Sequence, residues 1–183
     1  MKLVTFTRNG IDEVGVKTDG GLVPLSELAS DLPKDMIALI SEGEELKNRI
    51  DELLTAYAGQ PLNDEGLELR APIPTPARNI FCVGKNYHDH AEEFEKSGFD
   101  SSSSGQAVPS VPIIFTKAPS SVIAHGESVD SSLDPSGTLD YEGELAVVIG
   151  KGGRGITKDA AMAHVYGYTI INDVTARETQ NKH

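Results

Sequence analysis

The sequence predicts an α+β protein, with a small α+β unit over residues 1–70 and a mixed, β-rich domain over residues 77–183. Three features carry that reading. Several short runs alternate apolar and polar side chains or are rich in β-branched residues, as strands are. Leu46, Ile50, Leu53, Leu54 and Tyr57 recur at helical spacing, an apolar stripe suited to core packing. Between the two regions, Ala71-Pro72-Ile73-Pro74-Thr75-Pro76 reads as a stiff, extended linker, which places the domain boundary at residues 71–76.

In order along the chain, Lys2–Arg8 alternates as a strand, and Asn9-Gly10 is a hairpin turn with Asp12–Lys17 returning. Asp19-Gly20-Gly21 turns again before Leu22–Leu25. A short helix is expected over Asp35–Ser41 and a second over the stripe ending at Tyr57, with Gly59 as its stop. Past the linker, Asn79–Val83 is strand-like, and His88–Phe94 reads as a helix. The serine- and glycine-rich Ser97–Ser110 reads as a loop, and Val111–Lys117 as a strand. Lys151-Gly152-Gly153-Arg154-Gly155 lacks the spacing of a phosphate loop and reads as an ordinary loop. Thr157 opens a short helix, Lys158–His164, and Tyr166–Val174 is a further apolar, β-branched strand.

Composition narrows the function. A length of 183 residues gives one domain, or one with a small appendage. A net charge of −12 argues against nucleic acid and against anionic membrane surfaces as partners. An anionic substrate would then need local positive charge, from a metal or from selected Lys and Arg. No run approaches membrane-spanning length, and the N-terminus lacks a signal-peptide pattern. The single cysteine, Cys82, rules out an internal disulfide and fits a reducing cytoplasm. It sits in an apolar run, as a small core residue does.

The chemistry concentrates in carboxylates. Leu139–Gly150 reads as one strand, so Glu142 and Glu144 share a face, with Asp140 before them. Buried carboxylates must be paired, protonated or metal-bound. No Lys or Arg stands in this strand to pair them, and a hard divalent cation would serve instead. The same pattern also fits a solvated strand end at the rim of a sheet. Asp173 closes the second strand, and Thr175-Ala176-Arg177-Glu178 fits a capping box opening a helix. On the His88–Phe94 helix, His90 and Glu93 are three apart and share a face, the arrangement of a general-base dyad. A solvated polar helix gives the same pattern.

Four ordered stretches, Arg78–His90, Pro112–Lys117, Asp140–Leu145 and Gly167–Arg177, together resemble the fumarylacetoacetate hydrolase family. The resemblance implies a metal-bound active site in a β-rich, β-roll-like domain behind a small N-terminal domain. It puts the metal ligands, for Mg²⁺ or Mn²⁺, on Glu142, Glu144 and Asp173, and the catalytic dyad on His90 and Glu93. Lys117 and Arg177, inside matched stretches, are assigned to substrate binding. The implied function is a metal-dependent hydrolase cleaving a C–C bond in a small anionic β-keto or acylpyruvate-type acid. The alternatives are a decarboxylase or isomerase of oxo- or enol-dicarboxylic acids in aromatic catabolism, and an inactive fragment or binding subunit. A homodimer is the implied assembly. Family members run on beyond the position of His183, so a C-terminally truncated member is expected. Its strand ending at Asp173 should show an unpaired edge or an exposed apolar face.

Overall fold

Two residues set the first hairpin. In the computed structural model, which describes residues 1–87, 109–180 and 182, β1 (Lys2–Arg8) and β2 (Ile11–Thr18) pair antiparallel, with Arg8 opposite Ile11. Asn9 and Gly10 between them sit at φ 53° and 77°. This left-handed pair matches the strand twist, and asparagine and glycine adopt it readily. β3 (Gly21–Pro24) adds beside β2 and β4 (Glu68–Leu69) beside β1, giving the order β3-β2-β1-β4.

Alternation turns Val14 and Val16 of β2 to one face, where they meet helical residues. α1 (Leu25–Leu28) contributes Leu25, and α2 (Met36–Ala56) contributes Met36, Leu39, Ile40 and Ile50 to the same core. The Asp35 side chain caps α2 by accepting from the Ala38 backbone N–H at 2.8 Å. Gly43, at φ 73° and ψ −152°, kinks α2. The two helices expected from the sequence are therefore both present and meet at that glycine.

The described chain forms two compact units. The first comprises Met1–Ala77, Val122–Glu127 and Leu145–Thr169, and the second Arg78–Ser121, Ser128–Glu144 and Ile170–His183. The first unit thus takes two segments from the stretch that the sequence assigns to the second domain. In the first unit, Val148 and Tyr166 pack against the N-terminal core. The Tyr166 hydroxyl is buried without a hydrogen-bond partner among the described residues. Burial pushes its pKa up to about 12, with the Glu44 carboxylate adding to the shift. A phenol whose folded pKa is raised loses stability as pH rises from its ordinary value of 10 through about 12. Tyr166→Phe should therefore raise stability by about 1 kcal/mol at neutral pH. It should also flatten the alkaline loss, as urea melts at several pH values would show. An unchanged alkaline slope would contradict this.

In the second unit, β5 (Ile80–Gly84) and β6 (Ile113–Lys117) pair antiparallel, Ile80 opposite Lys117. β7 (Leu139–Asp140) pairs with β10 (Thr175–Ala176), Asp140 opposite Thr175. β8 (Gly143–Ile149) pairs with β9 (Val165–Asn172), most of both strands belonging to the first unit, and the short helix α3 (Lys158–Ala161) lies between them in the chain. The stretch Leu139–Gly150 is thus two strands rather than the single one expected. The chain changes partner at Tyr141 and Glu142, from β10 to β9. The Glu142 N–H is taken by the Asn172 side-chain oxygen at 3.0 Å.

β8 keeps its alternation, and the acid-bearing face is the more covered one. Glu144, Ala146 and Val148 are half-buried, whereas Leu145, Val147 and Ile149 are exposed. On β9, Tyr168 and Ile170 are exposed, Ile170 at 81%. Among the described residues, no helix is long and apolar enough to cross a membrane.

Candidate active site

The site is built where β8 and β9 end. Asp173 follows β9 directly, and its N–H donates to the Glu142 carbonyl at 2.8 Å. That bond places the backbones of two of the sequence-predicted metal ligands side by side. Glu144 stands two residues further on, on the covered face of β8. The Asp173 side chain is only 7% exposed.

Arg177 opens the short helix α4 (Arg177–Gln180) immediately after β10. The capping box expected from Thr175 does not form there. The Thr175 hydroxyl donates to the Asp173 carbonyl at 3.2 Å. Thr138 caps the helix instead: its hydroxyl oxygen accepts from the Glu178 N–H at 3.0 Å, and its carbonyl from the Arg177 N–H at 3.1 Å. Thr138 is itself fixed by Asp134, whose carboxylate accepts the Thr138 N–H at 2.7 Å and the Ser136 N–H at 3.0 Å. A sequence window around Thr175 holds no trace of this, because the cap comes from forty residues upstream.

Two cations converge on the acids. The Arg177 Nε and Nη2 donate to Asp140 Oδ2 at 3.0 and 2.7 Å, and its Nη1 meets Glu142 Oε1 at 2.5 Å. Its side chain is 11% exposed. Burial lowers the Arg177 pKa, but Asp140 and Glu142 outweigh it and hold the guanidinium above its ordinary value. From the end of β6, Lys117 Nζ lies 2.7 Å from Asp173 Oδ1 and donates to the Val174 carbonyl at 3.2 Å. The strand itself carries no basic partner, as the sequence indicates. Among the described residues, tertiary contact brings in two, from β6 and α4.

Cys82 of β5 lies against the same acids. Burial pushes its thiol up, the Asp173 and Glu144 carboxylates add to the shift, and Lys117 opposes it. That keeps the sulfur protonated and unreactive at neutral pH. The same electrostatics place Cys82 close enough to feel Asp173, Glu144 and Lys117, a neighbourhood that its apolar sequence context does not reveal.

Of the sequence-predicted site residues, the structure therefore groups Glu142 and Asp173 with Lys117 and Arg177, and adds Asp140, Thr138 and Cys82. Among the described residues, no cluster of three or more His, Cys, Asp or Glu side chains is drawn together as a metal site. His90 and Glu93 lie outside the described residues.

The fumarylacetoacetate (FAA) hydrolase C-terminal family model matches residues 79–183. Oxaloacetate tautomerase YisK of Bacillus subtilis is 42% identical over 160 residues, covering 83% of this chain and 50% of that protein. A fumarylacetoacetate hydrolase structure from Exiguobacterium antarcticum superposes with a TM-score of 0.76 at 36% identity, covering 100% of this chain and 59% of that one. A maleylpyruvate hydrolase from Sphingobium sp. SYK-6, solved with manganese(II) and pyruvate, shares the fold. Its TM-score is 0.69 at 24% identity, covering 97% of this chain and 60% of that one. The chain spans about half the length of the curated relative it matches.

Proposed function

The chain belongs to the fumarylacetoacetate hydrolase family, and from that premise we propose that it carries out divalent-metal-dependent keto–enol chemistry on small 2-oxo acids. The observation that carries the reading is the acid cluster at the ends of β8 and β9. It sets Asp173 and Glu142 side by side with Lys117 and Arg177 against them. Glu142, Glu144 and Asp173 offer only carboxylate oxygens, the donor type that Mg²⁺ and Mn²⁺ prefer. When bound there, such a cation supplies positive charge where an enolate develops.

The chain's own residues do the rest. Lys117 and Arg177 neutralise and orient the substrate's carboxylates, with Arg177 offering a planar fork suited to that geometry. His90, with Glu93 to orient it, moves the proton: from the carbon next to the keto group in tautomerisation, or from an attacking water in hydrolysis. Thr138 holds the first turn of α4 and with it Arg177.

Tautomerisation of oxaloacetate is the first activity to measure, since a tautomerase of that substrate is 42% identical to the chain. Hydrolysis of an acylpyruvate is the second reading, supported by the likeness to a fumarylacetoacetate hydrolase structure at 36% identity. Keto–enol equilibration of oxaloacetate, followed by ultraviolet absorbance with and without Mg²⁺, tests the first. Mg²⁺-dependent acceleration is the expected result. Acceleration of acylpyruvate cleavage alone would favour the second, and neither activity at any metal concentration would contradict both.

A further inference from the structure

Asp173 is buried, and a buried carboxylate left without a positive partner is strongly disfavoured. Lys117 supplies that partner at 2.7 Å. The two cations of the site are held very differently. Arg177 is 11% exposed and anchored on Asp140 by both Nε and Nη2, so it can release Glu142 and stay in place. Lys117 is 29% exposed, and besides Asp173 it has the Val174 carbonyl at 3.2 Å. Its ammonium is a strongly hydrated point charge on a flexible stem, and it can swing without losing a fixed geometry.

We propose that Lys117 and a divalent cation compete for the same Asp173 carboxylate, so that cation binding turns Lys117 toward a carboxylate of the incoming 2-oxo acid. This rests on the metal-dependent reading above and adds an order to it: cation first, anion second. Lys117 is then a positioning residue with opposite effects on the two ligands. It weakens binding of the cation and strengthens binding of the anion.

Calorimetric titrations of wild type and Lys117→Met test this, first with Mg²⁺ and then with oxalate at saturating Mg²⁺. Removing one nearby positive charge from a part-exposed site should tighten Mg²⁺ by about tenfold. Losing an ammonium–carboxylate contact should weaken oxalate by a similar factor, about tenfold. Lys117→Gln, which keeps a hydrogen-bond donor for Asp173, should show the same two signs and guards against a variant that fails to fold. If Mg²⁺ binds wild type but is weakened or unaffected by both substitutions, Lys117 is a fixed support of Asp173 and the competition is wrong. Unchanged oxalate affinity would also overturn it. Failure of Mg²⁺ to bind wild type and both variants would overturn the metal-dependent reading, and the competition with it.

Discussion

Glu142→Ala should abolish divalent-cation binding and any activity that depends on it. The substitution removes one of three proposed ligands and the carboxylate nearest Arg177. Arg177 keeps its two hydrogen bonds to Asp140, so the fold should survive with a loss of about 1–3 kcal/mol for the orphaned donor. Glu142→Gln separates the two effects. Its side-chain oxygen still accepts from Nη1, so thermal stability should stay near wild type while Mg²⁺ affinity falls by at least about a hundredfold, as charge loss at a hard-cation site implies. A Glu142→Gln protein that titrates with Mg²⁺ like wild type would remove Glu142 from the ligand set.

His90→Ala should lower acylpyruvate hydrolysis by about 10²–10⁴-fold, the usual contribution of a positioned general base. Oxaloacetate tautomerisation should fall by a similar factor, because it too needs a proton moved. Oxaloacetate decarboxylation should fall less, since loss of CO₂ requires no base. Mg²⁺ affinity should stay at the wild-type value, because an imidazole outside the ligand set does not contribute to it. Steady-state rates with the three reactions, beside a Mg²⁺ titration, give the comparison. Hydrolysis at the parental rate would show that His90 is not the base.

The N-terminal sheet and its helices were legible because local rules decide them. Asn9-Gly10 specifies a turn, Asp35 a cap, and the Leu46–Tyr57 stripe a buried helical face. The acids were legible too, since Glu142, Glu144 and Asp173 stand out in apolar surroundings. What the sequence could not show is who neutralises them. Lys117 is 56 residues from Asp173, and Arg177 is 35 from Glu142, so both pairs depend on tertiary placement. The break at Tyr141–Glu142 leaves no local signal for a related reason. An unbroken strand pattern cannot reveal that the chain leaves β10 and joins β9 midway. The exposed Leu145, Val147 and Ile149 row reverses the ordinary assumption that the apolar face of a strand is the covered one.

We propose that carboxylates at the ends of β8 and β9 hold one divalent cation. Isothermal titration of the chain with Mg²⁺ and with Mn²⁺, repeated on Asp173→Asn, tests it most directly. One saturable site per chain in wild type, lost in Asp173→Asn while that protein keeps a cooperative melt, is the predicted result. No saturable binding in wild type, or binding that survives in Asp173→Asn, would contradict it.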